Sequence, residues 1–326
     1  MISKLYIYIS DCHNPYTNLA TEKHLLDMVR KDEIILYLWQ NQNTVVIGKN
    51  QNALTECKCA LLEKDGGHLA RRLSGGGSVF HDLGNLNFTF LCTTENYNLA
   101  KQMQVIKEAC ALGGISAEIS GRNDILANGR KFSGNAFYNS KGKSYHHGTI
   151  LISADKEKLT KYLTPPKAKL QSKGVKSVKS RVVNLAEINP ALTVDAMKKH
   201  MVCAFEKVYG LSSSPFAITD SSEISAIAEK YASWEYLFAP SLPFTFSCEG
   251  NFSWGNIEIQ LDVKNGIIQS AQIFTDAMDH TISDKLKEVF SGCIFRMEEM
   301  EKALVTKISE PISTDILKLL KSLELN

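Results

Sequence analysis

The chain has 326 residues, 44% of them hydrophobic and 22% charged, with a formal net charge of +2. That balance belongs to a globular protein and excludes a disordered, collagen-like or disulfide-dense chain. The length suits two domains. No 18 apolar residues run together, and the start, Met1-Ile2-Ser3-Lys4-Leu5-Tyr6, lacks a signal-peptide core, so a cytoplasmic protein without a membrane span is expected.

Leu5–Ser10 reads as a strand and Asn18–Arg30 as a helix with Leu19, Leu25, Leu26 and Val29 on one side. Short β-rich runs follow at Ile34–Trp39 and Thr44–Ile47, across a polar Gln40-Asn41-Gln42-Asn43 turn. Further strands are expected near His68–Arg72, at Phe88–Cys92 and at Tyr145–Ile152, and a helix at Leu99–Leu112 stopped by Gly113-Gly114. Between them, Asp124–Ala127 and Arg130–Phe132 flank Asn128-Gly129, a strong signal for a two-residue hairpin. Alternation puts Ile125 and Ala127 on one face, Asp124 and Leu126 on the other.

Lys158–Ala186 holds eight basic residues and no acid, interrupted by Pro165-Pro166. It reads either as a solvated loop or as a cover for phosphates or an acidic protein. Thr193–Gly210 is an amphipathic helix, and Ser233–Ser247, with Pro240 and Pro243, is the linker candidate. Strands Gly255–Val263 and Ile267–Thr275 and helices Asp279–Phe290, Met297–Lys307 and Ser313–Leu323 complete the chain. The mixed element order favours an α+β fold over a doubly wound one. The expected domains are residues 1–243 and 247–326.

Charge divides along the same line. Residues 247–326 carry a net −5, leaving +7 on residues 1–246, which suits anionic ligands or an acidic partner. The eight cysteines form no Cys-x-x-Cys pair, so they are expected to be reduced, mostly buried small hydrophobes rather than zinc ligands. The basic stretch has few interleaved aromatics, so no nucleic-acid partner is expected. No Walker A motif is present, since the glycine required before Gly142-Lys143-Ser144 falls at Phe137.

The densest signal is Arg71-Arg72-Leu73-Ser74-Gly75-Gly76-Gly77-Ser78-Val79-Phe80-His81-Asp82. Glycines let backbone amides approach a ligand and form an anion-binding concavity, and arginine forks suit phosphate or carboxylate. With Gly84-Asn85, this block resembles the signature of lipoate–protein ligases. Gly121-Arg122-Asn123-Asp124 through Arg130-Lys131-Phe132-Ser133-Gly134 is similar to that family's catalytic lysine segment. His146-His147-Gly148-Thr149 and Ser177–Val182 are similar to two further blocks, in the same order. The resemblance spans nearly the whole chain.

The resemblance implies a large mixed β-sheet domain of the biotin/lipoate ligase (class II synthetase-like) type, plus a small C-terminal α/β domain. It implies ATP-dependent activation of lipoate to lipoyl-AMP, then transfer to the lysine of a lipoyl domain of a 2-oxoacid dehydrogenase acyltransferase or of a glycine-cleavage H protein. Lys131 would be catalytic and touch both substrates. Arg72, Gly77, Ser78, Val79, Phe80, Asn123 and Asp124 would bind ATP or lipoyl-AMP, with Asp124 a contact for Mg²⁺. Ser74, Gly75, Gly76 and His147 would face lipoate, and Trp39, Val45, Ile47 and Phe80 would line the path of its tail. His81 and Asp82 would lock the glycine turn. The C-terminal domain would rotate to close over the adenylate. Two other functions stay open on sequence alone: an amidotransferase using a preformed acyl-adenylate or acyl carrier, and a noncatalytic binding module. A thioester route would need a cysteine, and none lies between Cys110 and Cys203.

Overall fold

The computed structural model describes residues 2–121, 123–164, 182–238, 246–264 and 266–321. Most of the basic stretch, the fourth motif block up to Arg181, and residues 239–245 of the linker candidate lie outside the described residues. The chain forms two compact units. The first comprises residues 1–46, 58–70 and 79–233; the second comprises residues 47–57, 71–78 and 234–326.

The first unit is built on an eight-stranded mixed sheet, which includes β1 (Lys4–Ile9), β2 (Glu33–Trp39), β6 (Asn85–Thr93), β7 (Glu118–Ser120), β8 (Asp124–Ala127), β9 (Arg130–Ser140), β10 (Lys143–Leu151) and β11 (Ser213–Pro215). Their order is β11-β1-β2-β6-β10-β9-β8-β7. β1 runs parallel to both neighbours, and the other pairs are antiparallel. A small sheet of β3 (Thr44–Ile47), β4 (His68–Arg71) and β5 (Val79–His81) has the order β4-β3-β5.

β6 is central and buried from Asn85 through Cys92. Its even-numbered residues Leu86, Phe88, Phe90 and Cys92 join Ile34, Leu36, Leu38 and Ile150 in an apolar core. Helices Leu99–Leu112 and Val194–Tyr209 supply Val105, Ile106, Met197 and Phe205 to that core. The odd-numbered residues Asn85, Asn87 and Thr89 stand on the opposite face, in register with Trp39 and Tyr37 on β2 and with Thr149 and His147 on β10. Helix Pro15–Met28 packs against the same three strands. Asn14 caps it by accepting from the Tyr16 and Thr17 amides.

The second unit contains β12 (Phe246–Phe252), β13 (Gly255–Lys264) and β14 (Ile267–Thr275), an antiparallel sheet of order β12-β13-β14. Helices Ile282–Phe290, Met297–Lys307 and Ile312–Lys321 bury Leu286, Phe290, Met300, Leu304, Ile316 and Leu320 with Ile257, Ile259 and Leu261. The linker candidate differs from expectation. Trp234–Phe238 is a short helix, and β12 begins at Phe246, because its two phenylalanines and alternating burial make a strand that Gly250 does not break. Helix Ser222–Ala232 was also not anticipated; Ile224 and Tyr231 are buried, and Glu223 meets His24 of the first helix at 2.8 Å. All eight cysteines are free, but only Cys57, Cys92, Cys110 and Cys248 are buried.

Candidate active site

The lysine segment forms the hairpin its sequence specifies. Asn128 and Gly129 take φ of 51° and 71°, as a type I′ turn needs. Ile125 and Ala127 are buried, while Asp124 and Leu126 are half-exposed. β9 then departs from strict alternation. Ile125 pairs with Ser133 but Leu126 with Lys131, so Phe132 is the extra residue of a β-bulge. Phe132 and Ser133 are both buried. The bulge turns Lys131 to the same side as Asp124 and Gly134. Lys131 Nζ lies 2.7 Å from Asp124 Oδ1, both side chains being about one-third exposed, at 36% and 38%. A Cβ at Gly134 would stand 3.0 Å from that ammonium.

Asn123, just before β8, is tied to β9. Its carbonyl accepts from the backbone amide and the side-chain amide of Asn135, at 2.9 and 3.0 Å. Its own side chain donates to the Asn135 carbonyl at 3.1 Å.

Register carries the same sheet face across to β10 and β6, where a buried polar chain sits. His147 Nδ1 is 2.8 Å from Glu22 Oε1, Thr89 Oγ1 donates to the same oxygen at 2.7 Å, and Trp39 Nε1 donates to Thr89 Oγ1 at 3.1 Å. A carboxylate that is 1% exposed is thereby held by two donors. Sequence reasoning named His147 and Trp39 but missed Glu22 and Thr89. Their signal is an acid inside an otherwise helical run and a threonine in a hydrophobic strand, unremarkable until the register aligns them. His146, next to His147, points into the apolar core instead.

The glycine run belongs to the second unit. Arg72 folds over its own loop, donating from Nη2 to the carbonyls of Gly75 and Gly77, both at 2.8 Å, and from Nε to Ser74 Oγ at 3.1 Å. Arg71 is buried and donates from Nη1 to the carbonyls of Lys49 and Gln51 at 3.0 and 2.6 Å, and from Nε to that of Tyr236 at 3.2 Å. Burial lowers its guanidinium to about 10. The glycines accept close backbone approach. A Cβ on Gly75 would lie 2.2 Å from the Ala277 carbonyl oxygen, and one on Gly48 would lie 2.2 Å from that of Gly76. Gly76, at φ 89°, donates its amide to the Ala277 carbonyl at 3.1 Å. Among the described residues, the Gly77 and Ser78 amides donate to no acceptor; Ser78 Oγ donates to Glu56 at 2.9 Å.

β5 returns the chain to the first unit. Val79 and Phe80 pair with Val46 and Val45, and Phe80 packs on the Tyr162 ring. Asp82 accepts from the amides of Gly84 and Asp155 at 2.9 and 2.7 Å, and His81 Nδ1 lies 3.3 Å from Asn41 Nδ2. Asp82 thereby braces the turn at Gly84 rather than the glycine run. Trp39, Val45, Ile47 and Phe80 are all buried. The sequence-identified residues thus fall into two sets: Val79, Phe80, Asn123, Asp124, Lys131 and His147 in the first unit, and Arg72 with Ser74–Ser78 in the second.

Residues 14–206 match the lipoyl protein ligase A/B catalytic domain, and residues 241–320 match the bacterial lipoate protein ligase C-terminus. A lipoate-protein ligase A of Bdellovibrio bacteriovorus is 38% identical over 314 residues, which is 94% of this chain and 93% of that protein. The chain is a member of the lipoate-protein ligase A family. Among solved structures of related ligases, Plasmodium falciparum LipL1 in complex with lipoate superimposes with a TM-score of 0.85 at 31% identity, covering 98% of this chain and 99% of that one. A lipoate-protein ligase A bound with ATP has a TM-score of 0.62 at 23% identity, covering 73% and 98%, a likeness of fold. The mixed α+β fold with a small C-terminal domain is therefore that of the ligase family. No helix among the described residues is long and apolar enough to cross a membrane.

Proposed function

We infer that this chain is an ATP-dependent lipoate–protein ligase whose central cation is Lys131. A lipoate carboxylate oxygen attacks the α-phosphorus of ATP, the new P–O bond forms, and pyrophosphate leaves. An acceptor lysine amine then attacks the acyl carbon of lipoyl-AMP, an amide forms, and AMP leaves. Both steps pass through crowded negative charge, which preorganised cations stabilise. The observation that carries the reading is the Lys131–Asp124 pair, turned by the bulge onto the polar face that also carries His147. A compact ammonium with three donors can exchange Asp124 for a carboxylate or phosphate oxygen as substrates arrive.

Asn123 and Asp124 take the nucleotide side of this reaction, with the amides of Gly77, Ser78, Val79 and Phe80 and the Arg72 fork. Ser74, Gly75, Gly76 and His147 take lipoate; the Glu22 carboxylate fixes the His147 ring. Mg²⁺ fits as the ion that travels with ATP. It needs few protein ligands, keeping waters and substrate phosphates, and Asp124 supplies one half-exposed carboxylate.

The acceptors are lipoyl domains of 2-oxoacid dehydrogenase acyltransferases or the glycine-cleavage H protein, and the net +7 of residues 1–246 suits an acidic partner. Residues 1–243 act as the catalytic domain and 247–326 as an accessory one that reorients during the reaction. Eight free thiols suit the cytoplasm. The test is mass spectrometry of apo-carriers incubated with the protein, Mg-ATP and lipoate, each omitted in turn. Modification that requires all three supports the ligase. Modification only from supplied lipoyl-AMP, without pyrophosphate release from ATP, replaces it with a transferase.

A further inference from the structure

The histidine beside His147 has no part in the site as described, and its surroundings are unusual. His146 is wholly buried among the rings of Phe88, Phe90 and Phe137, with centroids 5.3, 5.8 and 5.2 Å away. An apolar side chain would suit that cage, so the two ring nitrogens require an explanation. Nε2 lies 2.8 Å from Asn135 Oδ1, and Nδ1 lies 3.2 Å from the side-chain amide of Gln102. Burial keeps the imidazole neutral, lowering it to about 3. A neutral ring has one N–H. Asn135 Oδ1 accepts it, because Asn135 Nδ2 is committed to the Asn123 carbonyl. Nδ1 must then accept. Gln102 Nε2 has no partner among the described residues, and turning that amide over places this donor on Nδ1.

Gly148 completes the arrangement. It lies opposite Asn135 and Phe88 on the core face, and a Cβ there would stand 2.8 Å from Asn135 Oδ1 and 2.7 Å from Phe88 Cζ. Only a residue without a side chain leaves room for Asn135 to turn toward the histidine.

We propose that His146 is a positioning residue: through Asn135 it fixes the Asn123 turn from the core side, and so sets the start of β8, from which Asp124 reaches Lys131 on the opposite face. This rests on the reading of Asn123, Asp124 and Lys131 as parts of the ligase site. Without His146, Asn135 Oδ1 loses its buried donor and the amide is free to rotate away from the Asn123 carbonyl.

The experiment uses the full-length protein and the variants His146→Phe, His146→Gln, Asn135→Ser and Asn123→Ala. Hydrogen exchange is followed in peptides covering residues 121–136, and pyrophosphate release is followed with free lipoate. His146→Phe fits the aromatic cage, so it is expected to fold, to exchange faster over 121–136 only, and to lose roughly 10- to 100-fold in kcat. His146→Gln, whose Nε2 can donate to Asn135, is expected to recover most of both. If His146→Phe does not fold, Asn135→Ser gives the same readouts, because it keeps the backbone amide bond and removes only the relay. Native exchange over 121–136 in the variant that folds overturns the proposal. So does fast exchange with unchanged turnover while Asn123→Ala is impaired. If Asn123→Ala also turns over normally, the reading of Asn123 fails, and exchange alone decides the role of His146.

Discussion

Lys131 Nζ and Asp124 Oδ1, 2.7 Å apart across a bulged hairpin, form an ion pair that stays about one-third exposed. Such a pair contributes little to stability in this degree of exposure. On the proposed reading its value is positional: it would park an ammonium where a substrate anion can displace the carboxylate. Lys131→Ala is therefore expected to melt like the parent protein and to lose at least about 10²–10³-fold in both pyrophosphate release and acceptor modification. Stopped-flow pyrophosphate detection and intact-mass measurement read the two steps separately. Parental turnover in this variant removes the lysine from the mechanism.

Gly134 gives the ammonium its space. A methyl there would stand 3.0 Å from Nζ and 3.2 Å from Cε, contacts that a half-exposed lysine relieves by moving. Gly134→Ala is expected to keep its melting temperature and to lose roughly tenfold in kcat, with KM for ATP little changed. Carbon-13 NMR of reductively methylated Lys131 should show the displaced side chain directly.

Arg71 is spent on carbonyl oxygens of Lys49, Gln51 and Tyr236 in the second unit. Arg71→Met leaves several buried acceptors without a donor, at about 1–3 kcal/mol each. A melting temperature lowered by many degrees is expected, together with protease cleavage beginning within residues 234–326. A melting temperature near the parent's would show that water replaces the guanidinium.

Acid should weaken the fold through His146. Its folded-state proton affinity is depressed to about 3, chiefly by burial and secondarily by His147, whereas in the unfolded chain it titrates near the usual value of about 6.5. The unfolded state thus binds the extra proton between those values. The contribution is complete above about pH 6.5 and is lost as pH falls toward 3, at up to about 1.4 kcal/mol per pH unit. Urea titrations from pH 7 to pH 4 should show this slope, and His146→Phe should flatten it.

Legibility followed the range of each interaction. The helix Leu99–Leu112, strand β3 and the Asn128-Gly129 hairpin are local, and periodicity and turn chemistry specify them. The bulge at Phe132 is not local: Phe132 and Ser133 read equally well as one inward and one outward residue until β8 fixes the register. Glu22 was invisible for the same reason. It gains meaning only when Thr89 and His147, far along the chain, arrive beside it on neighbouring strands. His146 and His147 looked like one feature because adjacency in sequence conceals that a pleated strand sends neighbours to opposite faces. The glycine run was readable as a place of close backbone approach. That Ala277 supplies the carbonyl meeting Gly76 could not be read, since the two are some 200 positions apart.

That contact bears on how the molecule can be divided. The unit holding the C-terminal helices also owns residues 47–57 and 71–78, so a cut in the linker would strand two excursions of the N-terminal chain, the first without the Thr275 amide that donates to Asn50 and the second without the Ala277 carbonyl that Gly75 and Gly76 approach. Anyone grafting this ligase, halving it into complementary fragments or permuting its ends should treat the glycine run as cargo of the C-terminal piece. A fragment ending near residue 243 would carry Lys131 on its sheet while residues 71–78 lacked the scaffold they pack with.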